Sequence, residues 1–343
     1  MESPRASRSE FGWRRRVFSL VVLVTLGVVG FIGVVLLRPN LIAGLLGQEM
    51  AGHISGHFRD PHHRVHDLTF SFLFGTGVVG MLAQLRRPSE NLAGQLMALI
   101  PWVALVLASV LSNTPPRFAP LPILGALTLL AAILHPTGRD LFNSFSVSRV
   151  NRVMLALVII AAVPLLAFAS TNIGLQRTVA NDHAALGHYG FMAAFSVTVI
   201  GVGLLASLRP DGWRLTAWVA GLLPALLGLA SVVFPDLDSS LGLVWALAAI
   251  AWGVVFVAAA ELTQDAESPT LLGSWGVINR ARQRRHMADP PPYPDTGDDT
   301  GVAPDRGSTT STPRVVYVSG IIAIVLVILF VIMHLTGGGL GGH

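Results

Sequence analysis

The chain has no cysteine. That excludes disulfide frameworks, thiolate zinc sites, iron–sulfur clusters and thiol catalysis. It has no lysine either, so all 23 basic residues are arginine. Charged residues make up only 12% of the 343 positions, against about 25% in an ordinary soluble domain. A water-soluble globular enzyme is thereby excluded. Gly-rich phosphate loops, a Gly-x-Ser-x-Gly nucleophile elbow and a His-Glu-x-x-His helix are also absent. Charged side chains deep in the apolar stretches, the mark of an ion path, are nearly missing; Gln84, Gln95 and Glu261 lie toward one end of theirs.

What the chain does have is apolar length. Apolar residues are 52% of it and the mean hydropathy is +0.63. A hydrocarbon core about 30 Å thick needs roughly 20 apolar residues in a helix, and only helices or closed barrels satisfy their backbone in lipid. Nine stretches qualify, at 17–37, 67–85, 92–112, 119–135, 153–170, 187–207, 214–234, 242–262 and 315–335. The fourth is the shortest and contains Pro122; Pro101, Pro164 and Pro224 fall inside others. The sequence therefore predicts an all-α polytopic membrane protein with nine transmembrane helices. The lipid bilayer is its first partner.

Arginine placement orients it. With a cytoplasmic N-terminus, 18 arginines fall in inside loops and five outside (Arg38, Arg59, Arg64, Arg117 and Arg177). This is the bias of the positive-inside rule. It accounts for the sequence pI near 10.5 and removes nucleic acid as a partner. The expected location is the plasma membrane, multi-pass, N-terminus cytoplasmic and C-terminus extracytoplasmic. The first apolar run is too long for a cleaved signal and reads as a signal anchor.

The expected organisation has a basic cytoplasmic N-terminus (1–16) and a first four-helix repeat (17–152) with a His-rich extracytoplasmic loop (38–66). A second four-helix repeat follows (153–262), then a Pro-, Asp- and Ser-rich cytoplasmic linker (263–314) with the composition of a disordered segment. A ninth helix with a Gly-rich tail (315–343) ends the chain and offers a surface for a membrane protein partner.

The repeat comes from sliding the chain by 123 residues. Gly80–Leu111 then falls on Gly203–Phe234, matching Gly80 with Gly203, Arg86 with Arg209 and Pro101 with Pro224. A shared Arg at one turn and a shared kink proline at one depth weigh more than shared leucines. Four helices per repeat make the two halves parallel, related by an axis along the membrane normal.

Histidine is distributed unevenly. Of eleven, His135 and His286 are on the cytoplasmic side of this topology; His53, His57, His62, His63, His66, His183, His188, His334 and His343 are on the other. Histidine does not set topology, so this asymmetry is independent information. Asp60-Pro61 reads as a helix start, placing His62 and His66 four apart on one face of the second helix. Asn181 or Asp182 caps the sixth helix, with His183 and His188 in its first turns. With one gap in the repeat, His66 aligns with His188.

The pattern points to a metal centre at the extracytoplasmic face, with His62, His66, His183, His188 and Asp182 as candidate ligands. Imidazole with carboxylate suits a divalent transition metal, zinc or copper(II); Met50 and Met333 are on the same side. Haem is disfavoured, because no helix carries two axial histidines about four turns apart. The leading function is metal uptake, sensing or support of a membrane complex. Against it stand a membrane-embedded hydrolase that activates water with His66, Asp67, Asp182, His183 and His188, and a structural subunit of a membrane complex with no metal, whose histidines are incidental; the cluster taken alone also reads as a pH-responsive surface. No catalytic residue is assigned. Whether the ring nitrogens of His66 and His188 approach within about 5 Å, as two ligands of one zinc must, decides between a site and scattered side chains.

Overall fold

The computed structural model describes residues 4–37, 60–114, 120–138 and 145–265, all within the compact unit Met1–Ser274. The expected ninth span, the greater part of the linker and most of the 38–66 loop, with His53 and His57, lie outside the described residues. So do His286, His334 and His343.

Among the described residues the secondary structure is helical and contains no strand. The helices are α1 (Pro4–Leu37), α2 (Arg64–Ala83), α3 (Leu92–Ser112), α4 (Pro120–Leu134), α5 (Arg152–Thr178), α6 (Asp182–Leu186), α7 (His188–Leu208), α8 (Trp213–Val233) and α9 (Gly242–Asp265). Seven are long and apolar enough to cross a membrane: α1, α2 with the turn before it, α3, α5, α7, α8 and α9. Among the described residues, the first eight expected spans therefore appear as seven full-length helices plus α4. The latter has 15 residues and reaches about 22 Å at 1.5 Å per residue, short of a full hydrocarbon core.

Packing follows one plan twice. In the first half α1 touches α2 and α4, and α3 touches α2 and α4; in the second, α5 touches α7 and α9, and α8 touches α7 and α9. The halves meet where α2 and α3 pack on α7 and α8. Helix α7 is the most enclosed, with Met192, Phe195, Val199 and Val202 buried. Val103, Val106, Val110, Val163 and Val244 instead expose more than 60% of their surface. Alanines such as Ala98, Ala104, Ala193, Ala206 and Ala220 are buried between helices while these aliphatics face outward, as suits a bundle in lipid, where packing rather than water exclusion joins helices.

Glycine permits the tightest contacts. A Cβ on Gly80 would strike the Gly94 carbonyl of α3, and one on Gly221 the Gly253 carbonyl of α9. Buried hydroxyls are satisfied within their own helices: Thr25, Thr69, Thr128, Thr198 and Ser207 each donate to the carbonyl four residues earlier, at 2.7–2.8 Å. No partner in lipid is then needed.

The turns after α2 and α7 are alike. Arg87, one position on from the Arg86 that the 123-residue slide matches to Arg209, and Arg209 itself both sit in the left-handed region, at φ 53°. The α3 start is tied to the second of these turns by the Ala93 N–H donating to the Asp211 carbonyl at 2.9 Å. At the same end His135, just beyond α4, is fully buried. Its Nδ1 lies 2.6 Å from Thr137 Oγ1, its Nε2 3.2 Å from Gln84 Oε1, and Phe18 packs edge-on at 5.3 Å.

Candidate metal centre

The opposite end of the bundle, about 30 Å along α2 by the rise per residue, gathers four histidines. Local chemistry brings them there. Asp60 caps a single 3-10 turn, Pro61–His63, by accepting the His62 N–H at 3.0 Å, and α2 continues from Arg64. His63, which closes that turn, and His66, in the first turn of α2, are three apart and share a face. Both face inward, 6% and 1% exposed, while His62 points outward.

In the second half Asn181 caps α6 by accepting the Ala184 N–H at 2.9 Å. Gly187 then takes φ +82°, a left-handed conformation open to glycine, and separates the short α6 from α7, so that His183 and His188 do not lie on one continuous helix as expected. Buried Gln176 braces the corner: its Nε2 donates to the Ala184 carbonyl at 2.7 Å, and its Oε1 accepts the Gly190 N–H at 3.0 Å. His183 and His188 are buried on either side of the break.

The rings converge. Nδ1 of His188 lies 3.2 Å from Nδ1 of His63 and 3.2 Å from Nδ1 of His183. One nitrogen from each of the three lies within 4.8 Å of the others. Two nitrogens bonded to one tetrahedral ion at about 2.0–2.1 Å are roughly 3.3–3.4 Å apart, close to what is found. A proton on His188 Nδ1 bridges to one neighbour at a time, whereas a cation between the rings serves all three.

Acceptors behind the rings fix which nitrogen faces inward. His63 Nε2 is 3.5 Å from Asp60 Oδ2, and His183 Nε2 is 3.3 Å from Asp238 Oδ2 in the α8–α9 connection. A carboxylate accepts the Nε2 proton and leaves the Nδ1 lone pair to a metal, the arrangement usual for ligating histidines. Asp60 is held below the ordinary carboxylate range, first by the His62 N–H it accepts and then by the neighbouring imidazoles. Both carboxylates are exposed, so the site lies just beneath the surface.

Of the residues expected from sequence, the structure brings His66, His183 and His188 together; the His66 and His188 rings stack with centroids 5.0 Å apart. It does not bring in His62, which is exposed, or Asp182, which is exposed in the first turn of α6. Sequence reasoning missed His63, Asp60 as its partner, and Asp238. The Asp-Pro start carried a signal for the first two, had the helix been allowed a 3-10 first turn; nothing local marks Asp238.

Comparison of the chain with protein-family models, curated proteins and solved structures finds no match.

Proposed function

We propose that this is a multi-pass membrane protein that binds one divalent transition metal, zinc or copper(II), through His63, His183 and His188 at its extracytoplasmic face. The metal serves uptake, sensing or the support of a membrane complex. The observation that carries the reading is the meeting of three Nδ1 atoms, two pairs of them at 3.2 Å, with carboxylates behind two of the rings. The all-nitrogen donor set and the absence of cysteine favour zinc or copper(II) over copper(I). The arginine bias supports the side. The repeated packing plan, the paired left-handed arginines and the two histidines on each half support two parallel repeats with the site where they meet.

The test is metal content. Full-length protein purified in detergent and dialysed against zinc is expected to hold one equivalent, and His188→Ala none. Equal content in both proteins contradicts the proposal and leaves the structural-subunit reading. A second reading, a metal-dependent hydrolase, is favoured by one feature: three protein ligands leave a position for water.

A further inference from the structure

His66 stands against this triad, and its surroundings are unlike those of a packing residue. Its Nε2 lies 2.9 Å from Ser239 Oγ. Ser239 Oγ in turn donates to Asn172 Oδ1 at 3.5 Å, and Asn172 is oriented by its own Nδ2 donating to the Phe168 carbonyl at 2.9 Å. A Ser239 hydroxyl directed at Asn172 Oδ1 leaves its oxygen to accept from His66 Nε2, and in that tautomer Nδ1 carries a lone pair. That Nδ1 is buried and has no hydrogen-bond partner, in a side chain 1% exposed. Such an atom loses the full desolvation free energy unless something occupies its lone pair. Ser239 holds φ +65°, a left-handed conformation rare for a residue with a Cβ; the fold keeps this strained position where its hydroxyl meets His66.

Five of the six ring pairs agree. Four imidazoles on one tetrahedral ion, with bonds of about 2.0–2.1 Å, have centroids roughly 5 Å apart. The observed separations are 4.5 Å for His63–His183, 4.9 Å for His63–His188, 4.6 Å for His66–His183, 5.0 Å for His66–His188 and 5.5 Å for His183–His188.

We propose that His66 Nδ1 is the fourth ligand, so that the metal is enclosed by four imidazoles, two from each half of the molecule, and is held rather than offered to a substrate. This rests on the metal reading above. Closed four-coordinate sites are structural, whereas catalytic zinc keeps a position for water. The ion joins the start of α2 to the α6–α7 corner. Through Asp238 and Ser239 it also reaches the α8–α9 connection. It is a clasp across the two halves, and the hydrolase reading loses its open position.

Cobalt(II) is the probe, bound to full-length protein in detergent. The wild type is expected to give a tetrahedral cobalt spectrum that azide does not alter, because no exchangeable position exists. An azide-induced spectral change in the wild type overturns the four-imidazole proposal while leaving the triad intact. His66→Ala is expected to bind one equivalent about 10–100-fold more weakly, and its cobalt spectrum to become azide-sensitive as water fills the vacated position. Ser239→Ala, which leaves all four imidazoles in place, is expected to weaken binding about 10-fold with the spectrum still insensitive to azide. Unchanged affinity and spectrum in His66→Ala overturn the proposal. A wild type that takes up no cobalt overturns the metal reading beneath it, a separate result.

Discussion

Two ends of one helix bundle bury histidine, and they bury it differently. His135, at the Gln84 end of α2, has a partner for each ring nitrogen, a hydroxyl on one side and an amide oxygen on the other. It is a satisfied core side chain, and burial holds its pKa down at about 4. At the other end, His63, His183 and His188 turn nitrogens toward one another, and His66 keeps a buried Nδ1 with no hydrogen-bond partner. Burial alone does not identify a ligand. Where the lone pairs point, and whether anything already occupies them, does.

Substitutions at the two ends sharpen this contrast. The largest effect is expected from His188→Ala, which removes the nitrogen shared by both 3.2 Å contacts. Zinc binding, read by equilibrium dialysis, is lost, whereas His135→Ala keeps the full equivalent. A loss of zinc in both variants breaks the contrast. Asp238→Asn keeps the shape of the acceptor but removes its charge. It is expected to weaken zinc binding about 10–100-fold without abolishing it, as measured by competition with a chelator.

His135→Gln acts on stability instead. Its sign follows from the lowered pKa: the neutral ring is favoured in the fold, so its contribution is complete above the unfolded value of 6.5 and is lost as pH falls toward 4. Metal-free wild type is expected to lose more thermal stability between pH 7 and pH 5 than His135→Gln does. Equal losses contradict the assignment. The smallest effect belongs to His62→Ala, which is expected to change zinc affinity by less than about twofold, since its exposed side chain stands outside the cluster. A larger loss places His62 back among the ligands.

Much of the architecture was legible because lipid imposes a simple rule on apolar length. Spans one, two, three, five, six, seven and eight correspond to helices long enough to cross, and the capping by Asp60 and by Asn181, one of two candidates at its helix start, follows from residue type. Among the described residues, span four, already the weakest with its Pro122, is the one that falls short. The site was legible in outline: the sequence set His66 and His188 near two helix starts as candidate ligands, and their rings stack in the structure. Its detail turned on local backbone. An i,i+4 spacing selected His62 with His66 because a continuous α-helix was assumed from residue 61. The 3-10 first turn replaces that spacing with i,i+3, turning His63 inward and His62 outward. Asp182 was favoured as a carboxylate next to His183 in sequence, but the first turn of α6 directs it to solvent. Asp238, 55 positions after His183, supplies the carboxylate through tertiary packing, and adjacency in sequence carries no trace of that.

X-ray absorption at the zinc edge of the full-length wild-type protein tests the central claim most directly, because it reports the atoms bound to the ion. The expected result is a first shell of nitrogen near about 2.0 Å, with the outer-shell pattern of at least three imidazoles, lost in His188→Ala. A shell of oxygen, or an imidazole pattern that survives His188→Ala, would contradict it.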